Sequence, residues 1–215
     1  MREELDNIRL EAYIEAHIDP EPEHLHRINR ESNLRLVNGR MVSGHVQGRL
    51  LRMLTQMISP RMALELGTFS GYSALCIAEG MPDDGVLHTV EVDDELENFI
   101  LRNLRSHPCG SKVRLHVGDA VEIASRFSDG ELDMVFIDAD KRDYTAYYRA
   151  VKPKVRRGGY IIADNTLWDG HVVEQGRHSA QTAGILAFND LVAADSDVEK
   201  VILPLRDGLT LIRVK

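Results

Sequence analysis

Apolar positions in the first 58 residues recur at helical spacing. Leu5, Ile8, Ala12, Tyr13 and Ala16 share one face of a helix predicted over 3–18, which Asp19-Pro20 and Pro22 interrupt. Leu25, Ile28 and Leu36 mark a second, more polar helix from His24 to Leu36, closed by Asn38-Gly39. A third runs from about Gly44 to Ile58, with Leu50, Leu51, Leu54, Met57 and Ile58 as core candidates. After Ser59-Pro60 the period changes. Short apolar runs at 63–66, 85–92, 112–117, 132–138 and 159–164 alternate with helical segments, a rhythm that predicts parallel strands with helices on both faces. The end differs: VEKVILPL and GLTLIRV flank Arg206-Asp207-Gly208, and an Asp-Gly turn between alternating runs predicts a hairpin. The expected fold is a doubly wound, mostly parallel α/β sheet of seven strands, with one antiparallel strand from the C-terminal hairpin and an N-terminal helical arm. One domain over 1–215, with the arm at 1–58 and the core at 59–215, is the economical organisation.

Composition narrows the function classes. Hydrophobic residues make up 43% and charged residues 28%, the balance of an ordinary globular chain. The net charge of −8 opposes sequence-independent binding to nucleic acid or anionic lipid. MREELDNIRL lacks the basic and apolar regions of a secretory signal, and no apolar run approaches the roughly 18 residues of a membrane span. Cys76 and Cys109 form no C-x-x-C pair, which favours a reducing compartment, so a cytoplasmic protein with no membrane or nucleic-acid partner is expected. Nine histidines include no zinc motif: His24 and His26 fall in the arm, and His171 and His178 in a loop. Lys154, Arg156 and Arg157 read as a solvated helix end.

The chemistry concentrates at the carboxyl ends of the predicted strands. After the first, ELGTFSGYS places Gly67 and Gly71 where chain and ligand approach closely, yet it is neither G-x-G-x-x-G nor a phosphate loop. The second strand ends at Glu91, before the acidic first turn of the next helix, where a carboxylate can accept from ribose hydroxyls. Loop and acid together point to a nucleoside ligand. Asp119, in VGDA, either caps a helix or meets an adenine amino group. The sharpest signal lies in FIDADKRDY and IIADNTLWDG, which put Asp138 at one strand end and Asp164 and Asn165 at the next. Adjacent parallel strands are about 5 Å apart, so these side chains can meet at one ion. Two carboxylates and an amide oxygen select a hard cation such as Mg²⁺. Asp138 taken alone reads first as a cap of the helix from Lys141 onward, a balance that the Asp164-Asn165 pair shifts, and Trp168 either walls a pocket or anchors its loop.

With these motifs the chain resembles the small, metal-dependent class I S-adenosylmethionine O-methyltransferases, the family of catechol and caffeoyl-coenzyme A O-methyltransferases, with bacterial members most similar. The resemblance runs from about Met41 to the C-terminus and rests on ELGTFSGYS, the acidic second strand, GDA, FIDADKRDY and ADNTLWDG. It implies a Rossmann-like fold and transfer of a methyl group from S-adenosylmethionine to a hydroxyl of a catechol-like small aromatic acceptor. It also implies dependence on a divalent metal, Mg²⁺ with Mn²⁺ or Ca²⁺ as alternatives, and a homodimer. Ser43, Glu65, Gly67, Thr68, Ser73, Glu91, Ala120 and Asp138 match cofactor contacts of the family, and Asp138, Asp164 and Asn165 match its metal ligands. Lys141 matches a proposed general base, and Asp140 and Asp169 match substrate contacts of the coenzyme A branch; Trp168, beside Asp169, is the further candidate for the substrate side. Asp169 stands where the coenzyme A branch has asparagine, and the arm is polar and of mixed charge where that branch contacts its ester.

Three other readings make distinct demands. A non-catalytic S-adenosylmethionine-binding protein has no need of Lys141 beside the metal positions. A nucleic-acid methyltransferase predicts a basic face and often Pro-Pro after the fourth strand, where FIDADK stands instead. An NAD-dependent oxidoreductase requires the absent glycine pattern.

Overall fold

A computed structural model describes the backbone of residues 2–215 and side chains from Arg9 onward. Three helices come first: α1 (Arg2–Ala16), α2 (Glu23–Arg35) and α3 (His45–Ile58). The alternating part follows as β1 (Met62–Leu66), α4 (Tyr72–Gly80), β2 (Val86–Glu91), α5 (Glu97–Arg105), β3 (Val113–Val117), α6 (Ala120–Ser125), β4 (Leu132–Ile137), α7 (Tyr144–Val151) and β5 (Val155–Asp164). The chain closes with α8 (Ala180–Ala194), β6 (Val198–Leu203) and β7 (Leu209–Val214). The seven strands form one sheet in the order β3-β2-β1-β4-β5-β7-β6, parallel except for β7, which runs antiparallel to both neighbours.

The two-residue period of the strands divides the core between the two faces of the sheet. Ala63, Leu87, Met134, Phe136 and Ile162 point to one face and meet α4 with Leu25, Ile28 and Leu51 of α2 and α3. Leu64, Leu66, Val135, Ile137 and Ile161 point to the other and meet Tyr144, Tyr148, Ile185 and Phe188 of α7 and α8. Burial on both faces explains why β1 and β4 read as nearly continuous apolar runs. The apolar side of α1 is different, because Leu10 and Tyr13 are exposed; Leu5 and Ile8 lie outside the described side chains.

Two boundaries depart from expectation. Strand β5 starts at Val155 instead of Gly159, because Val155 pairs with Leu132 before a register irregularity, after which Tyr160 pairs with Met134. Arg156 and Arg157 are therefore strand residues, not a helix end, and Lys154 and Arg156 pair with Asp129 and Asp133. The hairpin connection is the five-residue stretch 204–208, with Arg206 in the left-handed region at φ 47°. Its Gly208 lies flat against the loop after β5, where an added Cβ would come 2.5 Å from Leu167 Cγ.

Candidate functional site

Chain order makes the crevice. From β1 the chain proceeds to β2 and β3 on one side, then crosses to β4 on the other, so the loops leaving β1 and β4 diverge at the carboxyl edge. The loop after β1 is held tightly between its neighbours: Gly67 N and Thr68 N both donate to Val90 O, and Asp138 N donates to Leu66 O at 2.8 Å. At Gly67 (φ 99°) a Cβ would fall 2.2 Å from Asp138 O, which is why the first glycine of ELGTFSGYS admits no side chain.

Glu91 stands beside that loop, 8% exposed. Its Oε2 accepts from Phe69 N at 2.7 Å, and its Oε1 accepts from Val92 N and Asp93 N at 3.0 Å each. Three of the roughly four acceptor positions of a carboxylate are thus filled by backbone, which fixes the group and leaves a free position on Oε2. Thr68 faces inward. Its hydroxyl bonds Thr89, whose Oγ1 donates to Glu65 Oε2 at 2.5 Å. Burial pushes the Glu65 carboxyl up to about 8, against the opposing pull of Ser73 and Thr89. Its Oε1 is buried without a well-formed hydrogen bond among the described residues, although Ser73 lies beside it. An unmet carboxyl oxygen in this pocket suits a hydrogen-bonding group supplied by a ligand. Ser43 is buried just before α3, and Ala120 opens α6, whose cap is Asp119 accepting from Glu122 N; of the two roles open to Asp119, the structure shows the cap.

Ile137 pairs with Ala163, so the next residues, Asp138 and Asp164, leave neighbouring strands at one level. Asp138 Oδ1 accepts from Lys141 Nζ at 2.8 Å. The cap of the following 3-10 turn, Lys141–Asp143, is Asp140 and not Asp138. Asp140 is also paired with the Arg142 guanidinium, which holds its carboxyl below the usual range. Asp164 is 4% exposed, and burial, reinforced by the negative charge of Asp138, pushes its carboxyl up to about 7. Two mutually repelling carboxylates joined by the Asn165 amide form a set that a hard divalent cation satisfies, so the residues present fit such an ion. Beneath them, Tyr144 OH donates to Asp164 O at 3.0 Å and ties the two strand ends together. Asn165, Trp168 and Asp169 all take left-handed φ (57°, 46° and 50°), a conformation uncommon for non-glycine residues and concentrated here on one loop. Trp168 is half-buried against the α8 side of the core and Asp169 is exposed at the rim.

Three residues at the site were not foreseen as part of it: Gln47 on α3, which bonds Asp164, and Arg206 and Asp207, which the sequence marks only as a hairpin turn. A second unforeseen grouping joins His24, Glu79 and His107, whose ligand atoms lie within 4.8 Å of one another. It sits at the far end of α4 from Ser73, and there Arg49 and Arg52 already face the Glu79 carboxylate. Glu79 is thus supplied with cations, and the cluster ties α2 to α4.

Comparison with known proteins agrees with this geometry. Residues 15–215 match the family model described as O-methyltransferase. The chain is 33% identical over 177 residues to a catechol O-methyltransferase of Niastella koreensis, covering 79% of this chain and 80% of that protein. It is 33% identical over 184 residues to caffeoyl-CoA O-methyltransferase 2 of Zea mays, covering 80% and 70%. Among solved structures, the O-methyltransferase TomG of Streptomyces achromogenes, in complex with S-adenosylmethionine, superposes with a TM-score of 0.89 at 27% identity over 96% of both chains. An O-methyltransferase of Bacillus cereus in complex with SAH gives 0.87 at 26% identity, over 96% of this chain and 97% of that one. With its sheet order, its glycine loop and its paired strand-end carboxylates, the chain belongs to the S-adenosylmethionine-dependent O-methyltransferase family.

Proposed function

We propose that this methyltransferase acts on a hydroxyl of a catechol-like aromatic small molecule and depends on a divalent cation, Mg²⁺ with Mn²⁺ or Ca²⁺ as alternatives. The observation that carries the reading is the all-oxygen set of Asp138, Asp164 and Asn165 at adjacent strand ends, with Lys141 against it. In this reading those three residues hold the ion. When bound, the cation supplies Lewis acidity to two neighbouring hydroxyl oxygens, and S-adenosylmethionine supplies an electrophilic methyl group.

The chain's own groups do the rest. Glu91 fixes the ribose through the free position on Oε2, and the unmet Glu65 oxygen meets a hydrogen-bonding group of the same ligand. Gly67, Thr68, Ser43, Ser73 and Ala120 line the cofactor side, with the Thr68 hydroxyl turned inward to brace Glu65 through Thr89. Lys141 takes the proton of the acceptor hydroxyl, and Asp138 keeps its Nζ at the place where that proton is released. Trp168 and Asp169 wall the acceptor, with Asp140 beyond them on Arg142. Holding both reactants in line contributes much of the acceleration.

Self-association as a homodimer and a cytoplasmic setting belong to the same reading. Exposed Leu10, Tyr13 and Met53, with Met57, a core candidate that α3 instead turns to solvent, offer apolar surface on α1 and α3, and both cysteines are free thiols. Among the described residues no helix is long and apolar enough to cross a membrane. Incubation with S-adenosylmethionine and a simple catechol, with and without chelator, tests the function. Methylated product that disappears with EDTA and returns with Mg²⁺ is expected, and transfer indifferent to exhaustive chelation overturns the metal.

A further inference from the structure

On the reading that Asp138, Asp164 and Asn165 hold the ion, two of the three are gripped from outside by residues of distant segments. Gln47, 1% exposed on α3, donates from Nε2 to Asp164 Oδ2 at 2.6 Å, and its Oε1 accepts from Arg206 Nη1 at 3.1 Å. The two partners fix the amide's direction, since a flip would set oxygen against carboxylate and NH₂ against guanidinium. Asn165 N donates to the other Asp164 oxygen, Oδ1, at 2.8 Å. Each oxygen of Asp164 thus spends one lone pair on the protein, and the plane of the carboxylate is set.

The second ligand is treated likewise. Asn165 Nδ2 donates to Asp207 Oδ2 at 3.3 Å, which commits the NH₂ end of the amide to Asp207 and leaves Oδ1 as the end free to ligate. Arg206 and Asp207 are neighbours in the β6–β7 turn, and that turn is fastened to the ligand loop. Leu167 N and Trp168 N donate to Asp207 O at 2.7 and 3.1 Å, and Thr166 N donates to Gly208 O at 3.1 Å.

We propose that Gln47, Arg206 and Asp207 are positioning residues that aim the oxygens of Asp164 and Asn165 and so set the affinity of the site for a hard cation. The C-terminal hairpin is on this account part of the metal site, although it offers the ion no ligand. Outer hydrogen bonds of this kind are worth about 10- to 100-fold in metal affinity.

The test titrates Mn²⁺ into the full-length protein with S-adenosylhomocysteine bound, reading free Mn²⁺ by electron paramagnetic resonance. Gln47→Met keeps the side-chain length without the amide, Asp207→Ala removes the acceptor, and Asp207→Asn retains an oxygen that can accept from Asn165. Gln47→Met and Asp207→Ala should each weaken Mn²⁺ binding about 10- to 100-fold. Asp207→Asn should restore most of the affinity, S-adenosylhomocysteine affinity should stay near wild type in every variant, and the metal-free melting temperature should stay near wild type in the two Asp207 variants, whereas Gln47→Met, which leaves a buried carboxylate oxygen without its donor, should melt lower. If Gln47→Met does not fold, the Asp207 pair decides. Wild-type Mn²⁺ affinity in Asp207→Ala, or an equal loss for S-adenosylhomocysteine, overturns the assignment. Asp164→Ala separates the two levels of the argument: if it binds Mn²⁺ like wild type, the metal reading itself has failed; if it abolishes binding while the outer variants change nothing, only the positioning role has.

Discussion

Lys141 Nζ lies 2.8 Å from Asp138 Oδ1, with both side chains mostly shielded from solvent. The two carboxylates at the strand ends therefore differ in kind. Asp138 has the Lys141 amine as its partner; Asp164, deeper and bonded only by neutral amide donors, has its carboxyl pushed up to about 7 by burial and by Asp138 itself.

That pairing makes Lys141 the most exposed part of the mechanism to experiment. Lys141→Ala should lower kcat by about 10²- to 10⁴-fold, the usual range for a lost general base, and leave cofactor affinity nearly intact. The loss should shrink for catechols bearing electron-withdrawing groups, whose hydroxyls ionise more readily. Steady-state kinetics on unsubstituted and nitro-substituted catechols decide it, and wild-type kcat in the variant on unsubstituted catechol returns Lys141 to a structural role.

Metal removal gives the second prediction. Three protein oxygens leave open positions on an ion that takes about six, room for two acceptor oxygens and a water. Exhaustive EDTA treatment should abolish turnover, and Mg²⁺ or Mn²⁺ should restore it. Asp164→Ala should not recover at any Mg²⁺ concentration that saturates wild type; a variant with the wild-type metal response refutes the ligand assignment.

Most of the scaffold was legible because it rests on local periodicity. The two-residue alternation of Leu64 and Leu66 against Ala63, the Asp-Gly turn and the proline breaks after 18 and 58 are written in consecutive residues. Strand-end motifs were legible for the same reason: ADN and DADK are contiguous, and parallel pairing of β4 with β5 brings them side by side. Gln47 was not legible, because its partner Asp164 is 117 residues away and a single glutamine on a helix has no pattern. Nor was the acceptor count of Glu91, since the three N–H groups that fill it depend on how the Phe69 loop folds over β2. The early start of β5 was hidden by the charges of Arg156 and Arg157, which an edge of the strand tolerates because Asp133 meets Arg156 there.

The third prediction uses that count. On the proposed reading, the position left on Oε2 accepts a charge-assisted bond from the ribose. Glu91→Gln keeps one acceptor oxygen but sets its NH₂ against a backbone N–H in place of the other, so it should weaken S-adenosylmethionine binding by about 1.5 kcal/mol, roughly tenfold, and also cost some stability. Glu91→Ala orphans three backbone donors and should also cost about 1 to 3 kcal/mol of stability. Calorimetric titration and thermal melts separate the effects; unchanged affinity in Glu91→Gln removes Glu91 from the cofactor site.

The last prediction follows from Glu65, fully buried with its carboxyl pushed up to about 8. A carboxyl in the unfolded chain titrates near pH 4.3. Between these values the native state holds a proton that the unfolded state has released, so the stability contributed by the protonated group is complete below about pH 4.3 and declines as pH rises toward 8. Glu65→Gln mimics the protonated form at every pH and lacks this decline. Relative to the variant, wild type should therefore lose stability at roughly 1 kcal/mol per pH unit between pH 5 and 8, measured without cofactor by urea denaturation. Above pH 8 the difference should level off, since both states are then ionised. A difference that stays constant from pH 5 to 8 would show that Glu65 is already charged in the folded protein and would overturn the raised carboxyl.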